Sequence, residues 1–299
     1  MIGELAALGA ALSWTVSAML YKRALQETKP VSANIVRLSC TSAILLLLVA
    51  VVGRFSVLTN LPLYAVALAS VSGVIGLGFG DTLYLMSLNT IGVARAVPLS
   101  CTYPLFSLMW QVFLLSKPIS LSVVLGAVTI VTGIWLLGLD GKPEAEATRR
   151  PLLVRGLVFA LATAVLWSVS ITMIDVSVTL PETGTLDSAF AINTLRVTAI
   201  ALCLLVSAPL VDRSHGILNM NRNTLIALVL GGIVALGVGW FLLAFSFLQT
   251  SAARAIPVSS TTPLFSTLSG VLLLHERVTA RNALGSIAIV AGIFLLFVV

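Results

Sequence analysis

An aspartate inside an apolar run is the residue of this chain best placed to do chemistry. Asp81 stands in GFGDTLYLMSLN, about eight residues from the end of its run, which is roughly 12 Å of depth in a helix rising 1.5 Å per residue. A carboxylate at that depth in hydrocarbon serves as a proton site, as counter-ion to an ammonium group, or as a hydrogen-bonded lock between helices. Tyr84, three residues on, shares its helical face. Arg37 and Arg196 also fall within apolar runs, each three residues after an asparagine, Asn34 or Asn193. They either hold an anionic group or snorkel and bond structurally.

A second set of candidates surrounds four prolines. Ala94 to Ser107 reads ARAVPLSCTYPLFS and Ala253 to Ser266 reads ARAIPVSSTTPLFS, with ten of the fourteen aligned pairs identical. Each copy sets two prolines six residues apart, Pro98 and Pro104 or Pro257 and Pro263. A proline within a helix donates no N–H and clashes with the carbonyl four residues back, so Pro104 frees the carbonyl of Ser100 and Pro263 that of Ser259. In a bilayer such carbonyls need hydroxyls, neighbouring helices or a water-filled cavity. Ser100, Thr102, Ser259, Ser260, Thr261 and Thr262 stand beside them. Broken helices at matching positions of two repeats point to a transporter's binding site, with Ser100, Tyr103, Ser259 and Thr262 facing the solute. Prolines that only kink two packed helices are the alternative.

Catalytic constellations are missing by comparison. His215 and His275 lie in or beside loops, neither HExxH nor GxSxG is present, and Asp81 has no second acid in its run. An enzyme is therefore not expected. There is no P-loop and no metal-ligand spacing, so neither ATP, a metal nor another cofactor is expected. Cys40, Cys101 and Cys203 sit in apolar runs as small core residues.

The elements that must carry these residues are membrane helices. With 59% hydrophobic and 9% charged residues and a mean hydropathy of +1.10, the chain has too little polar surface to cover a soluble globule. Runs long enough to span a bilayer, about 20 residues each, fall at about 3–22, 32–53, 62–89, 92–115, 120–139, 153–175, 187–210, 223–249, 252–274 and 279–299. The expected fold is an all-α membrane protein with ten transmembrane helices. The formal charge of +6 then reads as topology, with no nucleic acid partner. Most of the Lys and Arg at span ends fall on one side, so positive-inside bias places that side in the cytoplasm and both termini outside.

The repeat covers the whole chain. A spacing of 159 residues relates Asn34 to Asn193, Arg37 to Arg196, Gly126 to Gly285 and Gly133 to Gly292. Residues 1–139 and 152–299 are thus two copies of a five-helix unit, joined by the hydrophilic linker 140–151, and an odd number of spans inverts the second copy. Trp240 stands where the first copy has Asp81. Gly73, Gly76 and Gly80 match Gly232, Ala235 and Gly239, spaced for close helix approach. Trp14 and Ser17 in span one align at an offset of 153 with Trp167 and Ser170 in span six. Each pair lies on one helical face and is a candidate wall of a shared cavity, packing being the other use. Lys22 aligns with Asp175, but inversion puts them at opposite membrane faces, so no pair is expected.

The segment from Leu273 to Leu296, LLHERVTARNALGSIAIVAGIFLL, resembles the ending of EamA-type proteins of the drug/metabolite transporter superfamily, including Glu276 before the last span. The proline-bearing stretches and the Trp-bearing first spans are similar to the same family. The resemblance implies ten spans in two inverted halves and movement of amino acids, related metabolites or drugs. It also implies a central cavity lined by spans one, three, four, six, eight and nine. Small multidrug resistance relatives carry a glutamate in mid-span one, whereas Glu4 here is at the extreme end, so proton-coupled drug export by that route is not expected. Lys117 occupies the counterpart of Glu276.

The expected function is a secondary transporter working by alternating access in the cell membrane, plasma or inner. A small-molecule substrate would meet Trp14, Asp81, Tyr84, Ser100, Tyr103, Trp167, Trp240, Ser259 and Thr262. A channel or receptor that keeps the fold is the alternative.

Overall fold

The computed structural model describes residues 1–139, 150–212, 220–274 and 279–297, all of whose regular elements are helices. Most of the linker, together with His215, His275 and Glu276, lies outside the described residues.

The first repeat begins with α1 (Ile2–Ala24), α2 (Pro30–Val51) and the short α3 (Phe55–Thr59). Pro30 opens α2, where its missing N–H has no intrahelical partner to lose. Next comes α4 (Leu63–Ile91), a 29-residue helix whose middle, Gly73–Gly80, widens into π-helical turns. The next apolar run is broken into α5 (Val93–Ser100) and α6 (Tyr103–Phe113), followed by α7 (Leu121–Leu139). The second repeat follows the same plan with α8 (Arg150–Val178), α9 (Leu186–Val211) and α10 (Arg222–Gln249). Within α10, Ile233–Gly239 again forms π-helical turns. A broken pair, α11 (Ala252–Ser259) and α12 (Thr262–Leu274), leads to α13 (Ala280–Phe297). Side-chain caps start two helices: Thr185 accepts from the Ser188 amide at 3.1 Å and Asn221 from the Thr224 amide at 2.7 Å.

Six described helices, α1, α2, α4, α8, α9 and α10, are long and apolar enough to cross a membrane. The remaining expected spans appear as shorter apolar helices or as the two broken pairs. Polarity is distributed as a bilayer requires. Leu47, Val51, Leu121, Leu202, Val206, Leu284 and Ile287 are exposed, whereas Arg37, Asp81 and Arg196 are buried. An outer surface this apolar around a charged interior suits lipid.

The breaks adjoin Pro104 and Pro263, whereas Pro98 and Pro257, expected to break their helices too, lie inside α5 and α11. Pro104 and Pro263 sit in the first turns of α6 and α12, past the breaks at Cys101–Thr102 and Ser260–Thr261. Side-chain hydroxyls bond carbonyls of the turn before each break, though not those of Ser100 and Ser259. Thr102 donates to the Leu99 carbonyl at 2.7 Å. Ser259, Ser260 and Thr261 donate to those of Ile256, Pro257 and Val258 at 2.8, 2.7 and 2.8 Å.

The repeats are interleaved rather than set side by side. Helix α1 packs on α10 and α11 of the other repeat, and α8 packs on α4, α5 and α6. Helices α7 and α13 cross at their glycines: a Cβ on Gly133 would lie 2.6 Å from the Gly285 carbonyl oxygen, and one on Gly292 would lie 2.8 Å from that of Gly126. Contact at this distance is open only to residues without a side chain.

Candidate functional site

The widened turns of α4 and α10 organise the site. Each is a π-helical segment of the kind frequent at functional sites, and an asparagine from the neighbouring helix bonds its carbonyls in both repeats. Asn34 Nδ2 donates to the carbonyls of Leu77 at 2.9 Å and Gly78 at 3.3 Å. Asn193 Nδ2 donates to those of Leu236 at 2.9 Å and Gly237 at 3.5 Å. Every residue in the second set is 159 positions after its partner in the first. The arginines one turn further along α2 and α9 are thereby aimed at the same places, and there the symmetry ends. Arg37 pairs with Asp81, whereas Arg196 meets Trp240 at the equivalent position.

Arg37 is 2% exposed, so it does not snorkel. Its Nε donates to Asn34 Oδ1 at 2.9 Å, its NH2 group bonds Asp81 Oδ2, and its guanidinium carbon lies 4.7 Å from the centre of the Tyr21 ring. The other carboxylate oxygen of Asp81 accepts from Trp167 Nε1 at 2.7 Å. Asp81 therefore joins α2, α4 and α8, with both oxygens engaged; of the roles expected for it, the lock between helices is the one its bonds display. Arg196 donates to Ser72 Oγ at 3.0 Å and Ser170 Oγ at 2.8 Å, and its guanidinium lies 3.9 Å from the centre of the Trp240 ring. Its NH1 group is buried without a hydrogen-bond partner. Gly76 gives Ser170 and Arg196 their room, since a Cβ there would collide with Ser170 Oγ.

Between these two clusters is a cavity of about 50 Å³, space for a few waters. Aromatic rings form much of its wall. Trp14 meets Trp240 edge to face at 5.1 Å between centroids, and Trp167 meets Tyr84 at 5.0 Å and Tyr103 at 6.2 Å. Trp14 Nε1 donates to the Ala235 carbonyl in the widened turn of α10 at 3.3 Å. The broken helices contribute Val97, Cys101, Tyr103 and Thr262. Ser17, Tyr21, Arg37 and Asp81 make the polar end.

Seven expected site residues line this cavity: Trp14, Asp81, Tyr84, Tyr103, Trp167, Trp240 and Thr262. Ser100 and Ser259 do not. The Ser100 hydroxyl is buried without a partner, and Ser259 bonds Tyr103 Oη at 2.7 Å from behind the wall. A serine adjoining a break points toward or away from the cavity according to the rotation of its half-helix, which packing sets. Ser17 lines the cavity, but its repeat counterpart Ser170 serves Arg196 instead. Tyr21 and Ile171 are lining residues that sequence reasoning missed. The signal for Tyr21 was present: Trp14, Ser17 and Tyr21 recur at the three- and four-residue spacing of one helical face. Asp175, aligned with Lys22, pairs instead with Lys117 at 2.6 Å.

Comparisons with known proteins agree with this architecture. The EamA-like transporter family matches residues 1–139 and 154–298. A protein of Archaeoglobus fulgidus described as an uncharacterized transporter is 23% identical over 296 residues, covering 99% of this chain and 98% of its own. A solved crystal structure superposes with a TM-score of 0.72 at 21% identity, over 98% of this chain and 95% of that one. A family match across both repeats, apolar helices able to span a bilayer and a transporter-named relative point to a multi-pass membrane transporter rather than an enzyme: the chain belongs to the EamA-like transporter family.

Proposed function

We propose that the protein is a secondary transporter that moves small organic solutes, among them amino acids and related metabolites, across the cell membrane by alternating access. The observation that carries this reading is the cavity between the repeats. Its walls come from both broken helices, both widened helices and the exchanged first helices α1 and α8. Each broken pair counts as one crossing and α7 and α13 as one each, which makes ten. Five crossings per repeat thread the second copy inverted, so the two repeats can trade conformations and open the cavity to either face in turn. Residues 1–139 and 152–299 are then the exchanging units.

At about 50 Å³ the cavity is too small to hold an amino acid as it stands, so the walls part to load. The breaks at Cys101–Thr102 and Ser260–Thr261 let each half-helix tilt separately. Solute meets the three indoles, Asp81, Tyr84, Tyr103 and Thr262. Ser259 acts from behind by holding the Tyr103 hydroxyl.

The test is counterflow in proteoliposomes preloaded with unlabelled amino acids, amines or organic acids, following entry of a labelled member of each class. Saturable entry driven by the internal pool is expected. Conductance that does not saturate would replace the carrier with a channel. No flux of any kind from protein with its native melting transition would leave a receptor.

A further inference from the structure

We propose that the polar end of the cavity is a carboxylate subsite. There the hydroxyl of Tyr21 and the guanidinium of Arg37 receive the carboxylate of an organic monoanion, whose apolar or aromatic body lies against the indoles. The word transported would rest on the carrier reading above; the binding does not.

Three observations lead to this ligand. The first is an unmet hydroxyl. Tyr21 is 2% exposed and lines the cavity, and its buried Oη, beside the Arg37 guanidinium, has no acceptor for its proton. Buried hydroxyls are ordinarily paired, and one left open against a cavity is a place for a ligand's polar atom. Arg37 lies over the same ring, 4.7 Å from its centre, and a guanidinium nearby favours the phenol as donor toward an anion. Asn34 and Asp81 take two of the Arg37 donors out of five, so the group retains capacity for an incoming oxygen.

The second is the sum of charge in the middle of the helices. Arg37 and Asp81 cancel. Arg196, fully buried, has two serine hydroxyls and an indole but no carboxylate at ion-pair distance among the described residues. The membrane interior therefore holds one positive charge in excess, separated from the cavity by the Trp240 ring that lines it. A bound monoanion neutralises it, and neutral interiors are the less costly ones in hydrocarbon.

The third weighs against the opposite ligand. An ammonium group would add to the positive excess, and the one carboxylate of this site is already neutralised by Arg37 and bonded by Trp167. The remaining wall is aromatic and suits an apolar body.

The test uses the full-length protein in detergent and reads binding by quenching of its tryptophan fluorescence, since Trp14, Trp167 and Trp240 line the cavity. The probes share one body and differ in charge: 3-phenylpropionate, phenylalanine and phenethylamine, with 4-methylpentanoate, leucine and isoamylamine as the aliphatic set. Each acid is expected to bind more tightly than its amino acid, and the amines not to saturate. Tyr21→Phe removes a hydroxyl that has no acceptor in the resting structure and keeps the ring under Arg37. It should leave the melting midpoint unchanged while raising half-saturation by the acids on the order of tenfold. Amines binding more tightly than acids, no binding by any acid, or acids indifferent to Tyr21→Phe would each overturn the subsite. Acids that bind but give no counterflow would refute the carrier and leave the subsite standing; amine counterflow alone would do the reverse.

Discussion

Exchanging Asp81 for asparagine keeps the shape of the side chain and deletes one charge, which tests whether the buried cluster is held as an ion pair. Asparagine retains a carbonyl oxygen for Trp167 Nε1, now at 2.7 Å, but leaves Arg37, at 2% exposure, without a counter-charge among the described residues. Stripping one partner from a buried pair costs about 3–5 kcal/mol, because the surviving charge remains desolvated. Arg37→Gln should cost a similar amount by stranding Asp81. The double variant strands neither, so it should be less destabilised than the sum of the two, with a coupling energy of roughly 2–3 kcal/mol. Unfolding free energies of the four proteins, measured in one detergent by circular dichroism during denaturant titration, complete the cycle. Additive effects, or an Asp81→Asn cost below about 1 kcal/mol, the usual worth of an exposed pair, would refute the claim that the two charges depend on each other.

Three further outcomes follow from the same geometry. Gly133→Ala puts a methyl 2.6 Å from the Gly285 carbonyl oxygen and should destabilise the α7–α13 crossing by about 1–3 kcal/mol; Gly184→Ala, whose nearest neighbour would be 3.8 Å away, should be silent in the same melting experiment. Asn34→Leu and Asn193→Leu each remove a side-chain hydrogen bond to a widened turn and should cost about 1 kcal/mol or more, while Asn34→Leu costs the more because Asn34 also holds Arg37 and Thr82; equal losses would show that those added bonds contribute nothing. Trp167→Phe breaks a 2.7 Å bond to a carboxylate and Trp14→Phe a 3.3 Å bond to a carbonyl, so the first should lower the melting midpoint by more, a charged hydrogen bond being worth about 1.5–3 kcal/mol against about 1 for a neutral one.

Much of the scaffold was legible from local chemistry. Hydrocarbon as the solvent follows from composition, because 9% charged residues cannot cover a water-facing surface. Helix breaks near Pro104 and Pro263 were legible from a missing N–H and a ring clash that act within four residues, but Pro98, Pro209 and Pro257 stay inside helices, so a proline alone does not say where a break falls. The doubled plan follows from a constant offset of 159 residues, and the asparagine bonds repeat at that offset in space. The paired glycines of the last span in each repeat were visible as a pattern, while their meeting across the repeats was not.

The site was legible in part. Residue type singled out Asp81, Arg37, Arg196 and the tryptophans, because charges and indoles deep in apolar runs are unusual wherever the helices lie. Their partners are 44 residues apart for Arg37 and Asp81 and 86 for Asp81 and Trp167, and no local rule relates such positions. Equivalent residues of the two repeats also do different work: Ser17 lines the cavity while Ser170 serves an arginine, and Trp240 stacks where Asp81 forms a salt bridge. The sequence by itself determined the solvent and the repeat, which depend on composition and on spacing along the chain. Tertiary structure alone decided which side chains face the cavity, because that depends on how far each helix is rotated about its axis, and packing against the opposite repeat sets that rotation.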